Sequence, residues 1–146
     1  MTTQTLTATN FNSCSLPISS KFHQLLAKHI DMHSEHDELS ITINFRDTSY
    51  SAEEGGFHPV EVRLQKQASQ QWDILYITDF AYFGNVYPEL GRSVDFDIAN
   101  QMAFFTGIGW QEIDSYGVND FYELWESNFL AYVEMDAFDE IKVTNN

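Results

Sequence analysis

Between positions 39 and 45 apolar residues fall on every second place: Leu39, Ile41, Ile43 and Phe45 alternate with Ser40, Thr42 and Asn44. Successive side chains of an extended chain point to opposite faces, so a period of two requires a strand with one face in a core and the other toward water. Val60, Val62 and Leu64 repeat the pattern against Glu61, Arg63 and Gln65, and a third apolar run covers 72–80. The connection at 68–71 is short enough for a hairpin. Val94, Phe96 and Ile98 alternate with Asp95 and Asp97, Asn100 and Gln101 offer a turn, and 102–105 supplies a partner strand. Strands joined this way pair most simply as an antiparallel sheet, whose apolar face must be covered.

Two stretches have the helical period needed to cover it. Ser19 or Ser20 can cap a helix running to about position 36, with Phe22, Leu25, Leu26 and Ile30 on one face. Asn119 reads as the cap of a second, with Phe121, Leu124, Trp125, Phe129 and Tyr132 on one face and Asp120, Glu123 and Glu126 in its opening turns, near the positive end of the helix dipole. Phe138, Ile141 and Val143 fit either a last strand or more helix. Residues 2–15, rich in Thr, Asn and Ser, read as a flexible tail or a weakly docked strand. The expected organisation is therefore a tail over 1–15 and one α+β domain over 16–146.

The net charge is −15, from 22 acidic and 7 basic residues. Most of it lies after position 73, where 13 acids face 2 bases. Such a field repels nucleic acid and anionic membranes and attracts basic partners. A single cysteine, Cys14, excludes an intrachain disulfide and a cysteine-based zinc site, and suggests a reducing, cytoplasmic setting. The first residues lack the basic and apolar regions of a secretory signal, and no run approaches the ~20 apolar residues that span a bilayer.

Three groups of residues are candidates for function. His29 and His33 are four apart and His36 three further, a spacing at which one helix face can present neutral imidazoles to a divalent metal; a solvated face with scattered histidines is the commoner meaning. The second group is Arg46, Asp47, Tyr50, Phe57 and His58, in a loop containing Gly55 and Gly56 that is long for a strand connection. It holds an imidazole with carboxylates nearby but no nucleophile in a known arrangement, so a glycine-permitted turn tied down by Arg46 and Asp47 is favoured. The third is the aromatic stretch around Tyr82, suited to anchoring a protein partner. Asp95 with Asp97, and Glu112 with Asp114, read as solvated faces. Gly107 and Gly109 make only a fragment of a dinucleotide fingerprint.

The runs Asn44-Phe45-Arg46-Asp47, Tyr50-Ser51-Ala52-Glu53, Gly55-Gly56-Phe57-His58-Pro59-Val60-Glu61-Val62-Arg63-Leu64 and Tyr76-Ile77-Thr78-Asp79-Phe80 resemble an uncharacterised bacterial family of small acidic proteins. That family is a domain of unknown function found in marine and enteric bacteria, sometimes on mobile genetic elements. It is similar in fold to the acidic mitochondrial matrix protein that binds the globular heads of a complement component. The resemblance implies a strongly twisted antiparallel sheet with an N-terminal and a C-terminal helix packed against it. It brings no catalytic residues or cofactor. The mitochondrial relative is a ring-shaped trimer, whereas this chain is shorter and has one clear C-terminal helix.

The function these features favour is a non-enzymatic, acidic protein-binding module that recruits a basic partner, without cofactor or catalytic residues. Two alternatives belong to other classes: a nucleic-acid mimic that occupies the DNA site of another protein, and an enzymatic or metal-binding domain built on His29, His33 and His36 or on Arg46, Asp47 and His58. Exposed sheet edges leave assembly into a homo-oligomer open.

Overall fold

The computed structural model describes residues 6–33 and 39–145. In chain order these form α1 (Ser20–Met32), β1 (Ser40–Arg46), β2 (Val60–Lys66), β3 (Trp72–Phe83), β4 (Glu89–Asp97), β5 (Met102–Phe105), β6 (Gly109–Glu112), α2 (Val118–Glu134) and β7 (Glu140–Asn145). The strands make one twisted antiparallel sheet in the order β6-β5-β4-β3-β2-β1-β7. From β1 to β6 it is a meander; the chain then leaves the sheet for α2 and returns to lay β7 on the free side of β1.

Register turns the alternating sequence into a core. Ile41, Ile43 and Phe45 lie opposite Leu64, Val62 and Val60, and the row continues from Val62 through Ile77 to Phe96. All of these are buried, and both helices pack on this face. Helix α1 starts where expected: the Ser19 hydroxyl accepts the Phe22 N–H at 3.1 Å, and Phe22, Leu26 and Ile30 are buried. Its ring of Phe22 meets Phe129 of α2 at 5.8 Å, and Phe129 meets Phe45 of β1 edge-on at 5.0 Å. On the other half of the sheet Phe96 meets Tyr122 at 5.1 Å and Trp125 at 5.9 Å.

Several local expectations change. Helix α2 begins behind Gly117, whose left-handed φ of 87° suits glycine, and no side chain caps it, so Asn119 lies inside the helix. Its buried face is Val118, Tyr122, Glu126, Phe129 and Leu130, with Trp125 alongside. Phe121, Leu124 and Tyr132, expected on the inner face, are 40%, 61% and 37% exposed. Glu126, read from sequence as one of the acids of the opening turns, is buried because it joins the helices: one carboxylate oxygen accepts the Ser19 N–H at 3.0 Å and the Tyr122 hydroxyl at 2.8 Å. Leu39 is exposed although it is in phase with the β1 core residues. Asp95 is buried rather than solvated, paired with Arg92 at 2.8 Å, and Asp97 is half-buried, accepting the Asn100 N–H at 3.2 Å.

Of the segment expected as a tail or weakly docked strand, residues 6–15 are described, and they lie against the body of the protein. Phe11 forms a single parallel bridge with Trp72 and stacks on His23 at 4.8 Å. The Leu6 N–H donates to Asp31 of α1 at 2.9 Å. Of the stretch left open between strand and helix, Glu140–Asn145 forms β7, because β1 offers an unpaired edge opposite β2, while Phe138 is buried just before it.

Candidate functional site

The loop from β1 to β2 folds back on Asp47. Its carboxylate accepts the Ser49 hydroxyl at 2.6 Å, the Phe57 N–H at 3.1 Å and the Ser49 N–H at 3.0 Å, and these bonds lower the pKa of the acid. Gly56, with φ of 136°, lets the chain pass so close that a Cβ there would lie 2.8 Å from the Asp47 carboxylate. The loop is also fastened to the segment before β7, where Asp139 accepts the Thr48 N–H at 2.8 Å. Together these bonds return Phe57 and His58 to the mouth of the sheet.

There they border a cleft of about 270 Å³ between the loop, β3 and α2. His58 Nδ1 lies 2.7 Å from one oxygen of Asp79, and the other oxygen accepts the Trp125 indole N–H at 3.0 Å. The bond to Asp79 raises the His58 pKa, opposed by partial burial. With Nδ1 engaged, Nε2 is the nitrogen available to another molecule. Phe57 packs edge-on against Tyr132 at 4.8 Å, and Trp125 stacks on Phe129 at 5.2 Å, so the walls are aromatic. Asn128 adds a carboxamide.

Five of the six loop and aromatic candidates come together. Asp47 holds the loop, Phe57 and His58 line the cleft, and Tyr50 bridges His58 to Tyr82, with ring centroids 5.4 Å and 5.1 Å away. The Tyr50 hydroxyl accepts the Tyr82 N–H at 3.2 Å. Arg46 is exposed at the end of β1 and does not line the cleft. Asp79, Trp125 and Asn128 were not singled out from sequence. For Asp79 a signal existed: it occupies an inward position of β3, opposite Val60, where an apolar residue is the rule.

An imidazole oriented by a carboxylate is half of a general-base arrangement. The cleft's lining provides no thiol, primary hydroxyl or amine beside it. What it does provide is a gripping surface, with aromatic faces for an apolar or cationic group and an imidazole and amide for hydrogen bonds.

The histidines of α1 have separate surroundings. His29 stands edge-on to Phe45 at 5.8 Å, where burial lowers its pKa, and the His33 ring hydrogen-bonds the Asn145 side chain. His36 lies outside the described residues. Among the described residues no three His, Cys, Asp or Glu side chains are grouped so as to hold a metal ion.

The outer face of α2 adjoins the cleft through Asn128 and Tyr132. Phe121, Leu124, Tyr132 and Met135 are exposed on it, at positions that share one side of a helix, and Asp120, Glu123 and Glu134 run along one flank. Of these acids, Glu134 is paired with Lys21.

Fold and site together define a small acidic α+β protein: two helices on one face of a seven-stranded antiparallel sheet, with an aromatic cleft at one end. Over residues 20–144 the chain matches the family described as protein of unknown function DUF2787, and it belongs to that family. Among solved structures it is similar to the hypothetical protein VC0508 of the Vibrio cholerae VSP-II pathogenicity island, at 49% identity and a TM-score of 0.84, covering 92% of this chain and 98% of that one. It is equally similar to the conserved hypothetical protein VC1805 of Vibrio cholerae pathogenicity island VPI-2, at 49% identity and a TM-score of 0.84, covering 92% and 99%. VC1805 is described as sharing structural homology with the human P32 protein, the mitochondrial acidic matrix protein of the expected likeness. No curated protein matches significantly. Among the described residues no helix is long and apolar enough to cross a membrane.

Proposed function

We propose that this chain is a non-enzymatic binding module that recruits a basic protein, and that a basic amphipathic segment of that partner lies along the outer face of α2 with side chains reaching the cleft. The observation that carries the reading is the second apolar stripe of α2. A surface helix needs one such stripe, and Tyr122, Phe129 and Leu130 already supply it. A further stripe through Phe121, Leu124, Tyr132 and Met135, left exposed, is expensive in water and suits a partner. The acids on its flank and the net charge of −15 favour a positively charged partner. Where the stripe meets the cleft, His58, held by Asp79 through Nδ1, leaves Nε2 to hydrogen-bond the partner.

The test is a titration of the whole chain with a labelled Leu- and Lys-containing amphipathic helix peptide at low and high salt. Saturable binding is expected that weakens with salt, falls about tenfold in Leu124→Ala, and loses part of its salt dependence in Asp120→Asn with Glu123→Gln. These positions are exposed, so the fold is expected to tolerate the changes within about 0.5 kcal/mol. Binding indifferent to all three substitutions, or none at low salt, contradicts the reading.

A further inference from the structure

We infer, resting on the docking proposed above, that the basic partner segment carries a second anchor: an apolar side chain seated in a groove at the far end of α2 from the cleft. The groove exists because the inner face of the sheet continues past the start of that helix. Phe96 of β4 and Ala103 of β5 pair on this face and are fully buried, Phe96 against Tyr122 and Trp125. The neighbouring pair on the same face is Val94 and Phe105. Only the opening turn of α2 reaches it, where the Phe121 ring meets that of Phe105 at 4.6 Å. The space left over is about 420 Å³, lined chiefly by Val94, Phe105, Ile108, Tyr116, Val118 and Phe121. Ile108, in the turn between β5 and β6, is 74% exposed and Tyr116 wholly so, so the fold of this chain buries neither. A concave apolar surface bordered by exposed apolar side chains is the kind of pocket that receives an anchor residue from a partner.

Charge and position decide whose anchor it is. Between Arg92 and Lys142 the chain has eleven acidic residues and no lysine or arginine. Glu112, Asp114 and Asp120, each within two positions of a residue that lines the groove, are exposed. A second copy of this chain seated here would set these acids against their like, and an anionic lipid surface would be repelled in the same way. A segment carrying Lys or Arg around a Leu or Phe satisfies both the apolar groove and its acidic surroundings. The groove is also continuous with the docking face. Phe121 belongs both to the groove and to the exposed stripe of α2, and Tyr132, further along that stripe, lines the cleft. Phe121 and Tyr132 are eleven positions apart, roughly 16 Å along a helix, so a segment that fills both ends spans about three helical turns.

The experiment measures the affinity of a labelled amphipathic helix peptide of about eighteen residues, Leu on one face and Lys on the other, for the whole chain at low salt. The double variant Ile108→Ser with Tyr116→Ser removes the border of the groove without touching α2. Both positions are exposed, so an unchanged melting temperature is expected, and Ile108→Ala serves if the double variant is unstable. A loss of about tenfold in affinity is expected for the double variant, with peptide-induced shifts of the Ile108 and Gly117 amides in the unchanged chain. Binding that falls in Leu124→Ala but is undiminished in the groove variants overturns the second anchor and leaves docking on α2 standing, whereas no binding at all removes both. Sedimentation of the free chain is expected to show no self-association through this surface. A dimer that the groove variants dissociate would give the groove to a second copy and overturn the assignment.

Discussion

With one oxygen of Asp79 held by His58 and the other by Trp125, a single carboxylate fixes two walls of the cleft. Replacing it in Asp79→Asn is expected to return the His58 pKa toward its ordinary value, measurable by NMR titration. The folded pKa of His58 is raised, so its contribution to stability is full below about 6.5 and is lost as pH rises through the folded value. Asp79→Asn is therefore expected to lower the melting temperature more at pH ~5.5 than at pH ~8.5. Asp95 shifts stability with pH in the same direction, for a different reason. Burial pushes its carboxyl from 3.8 up to about 6, against the nearby charge of Arg92, with Glu61, Tyr76 and Asp97 the other ionisable groups around it. The folded chain holds this proton more tightly than the unfolded one, so stability falls as pH climbs from 3.8 to about 6 and stays reduced above. Asp95→Asn is expected to stabilise the protein by about 1–3 kcal/mol near neutrality and hardly at all at pH ~4, by thermal or urea unfolding.

At the scale of elements, the loop between β1 and β2 depends on Gly56. Gly56→Ala would force a side chain against Asp47 at a φ of 136°, and a loss of about 1–3 kcal/mol is expected together with a less ordered cleft, measurable by urea unfolding and by the His58 resonances. Some elements were plain from the sequence and others were not. Ile41, Ile43 and Phe45 and their partners on β2 alternate without interruption, so both strands and their inner faces were readable. Strand β6 was not, because Gly109-Trp110-Gln111-Glu112 has no apolar alternation and its tryptophan faces outward onto the open side of the sheet. Helix α2 was readable in place but not in orientation: Phe121, Leu124 and Tyr132 compete with Tyr122, Phe129 and Leu130, and a helix apolar on two sides lets periodicity choose either. The cleft was half readable for the same kind of reason. Its loop half is local and punctuated by Gly55 and Gly56, whereas Asp79 and Trp125 lie 46 positions apart and meet only once β3 and α2 pack.

At the scale of the whole molecule, excess negative charge is the property that composition announced and the fold leaves largely uncompensated. Among the described residues the ion pairs are Lys21–Glu134, His58–Asp79 and Arg92–Asp95, few against 22 acids in the chain. Self-repulsion of this kind is relieved by screening, so added salt is expected to raise the melting temperature of the free chain while weakening a basic partner's hold. The sheet order and both helices agree with the likeness read from sequence, and that likeness located no site, since a shared fold does not carry a function. The most direct measurement is amide chemical-shift mapping of the isotope-labelled chain as a basic amphipathic peptide is added at low salt. Shifts gathered around Leu124, Asn128 and Tyr132 and along the loop to His58, fading as salt is raised, are expected. A titration that leaves these amides in place, or moves only those of the open sheet face, contradicts docking on α2.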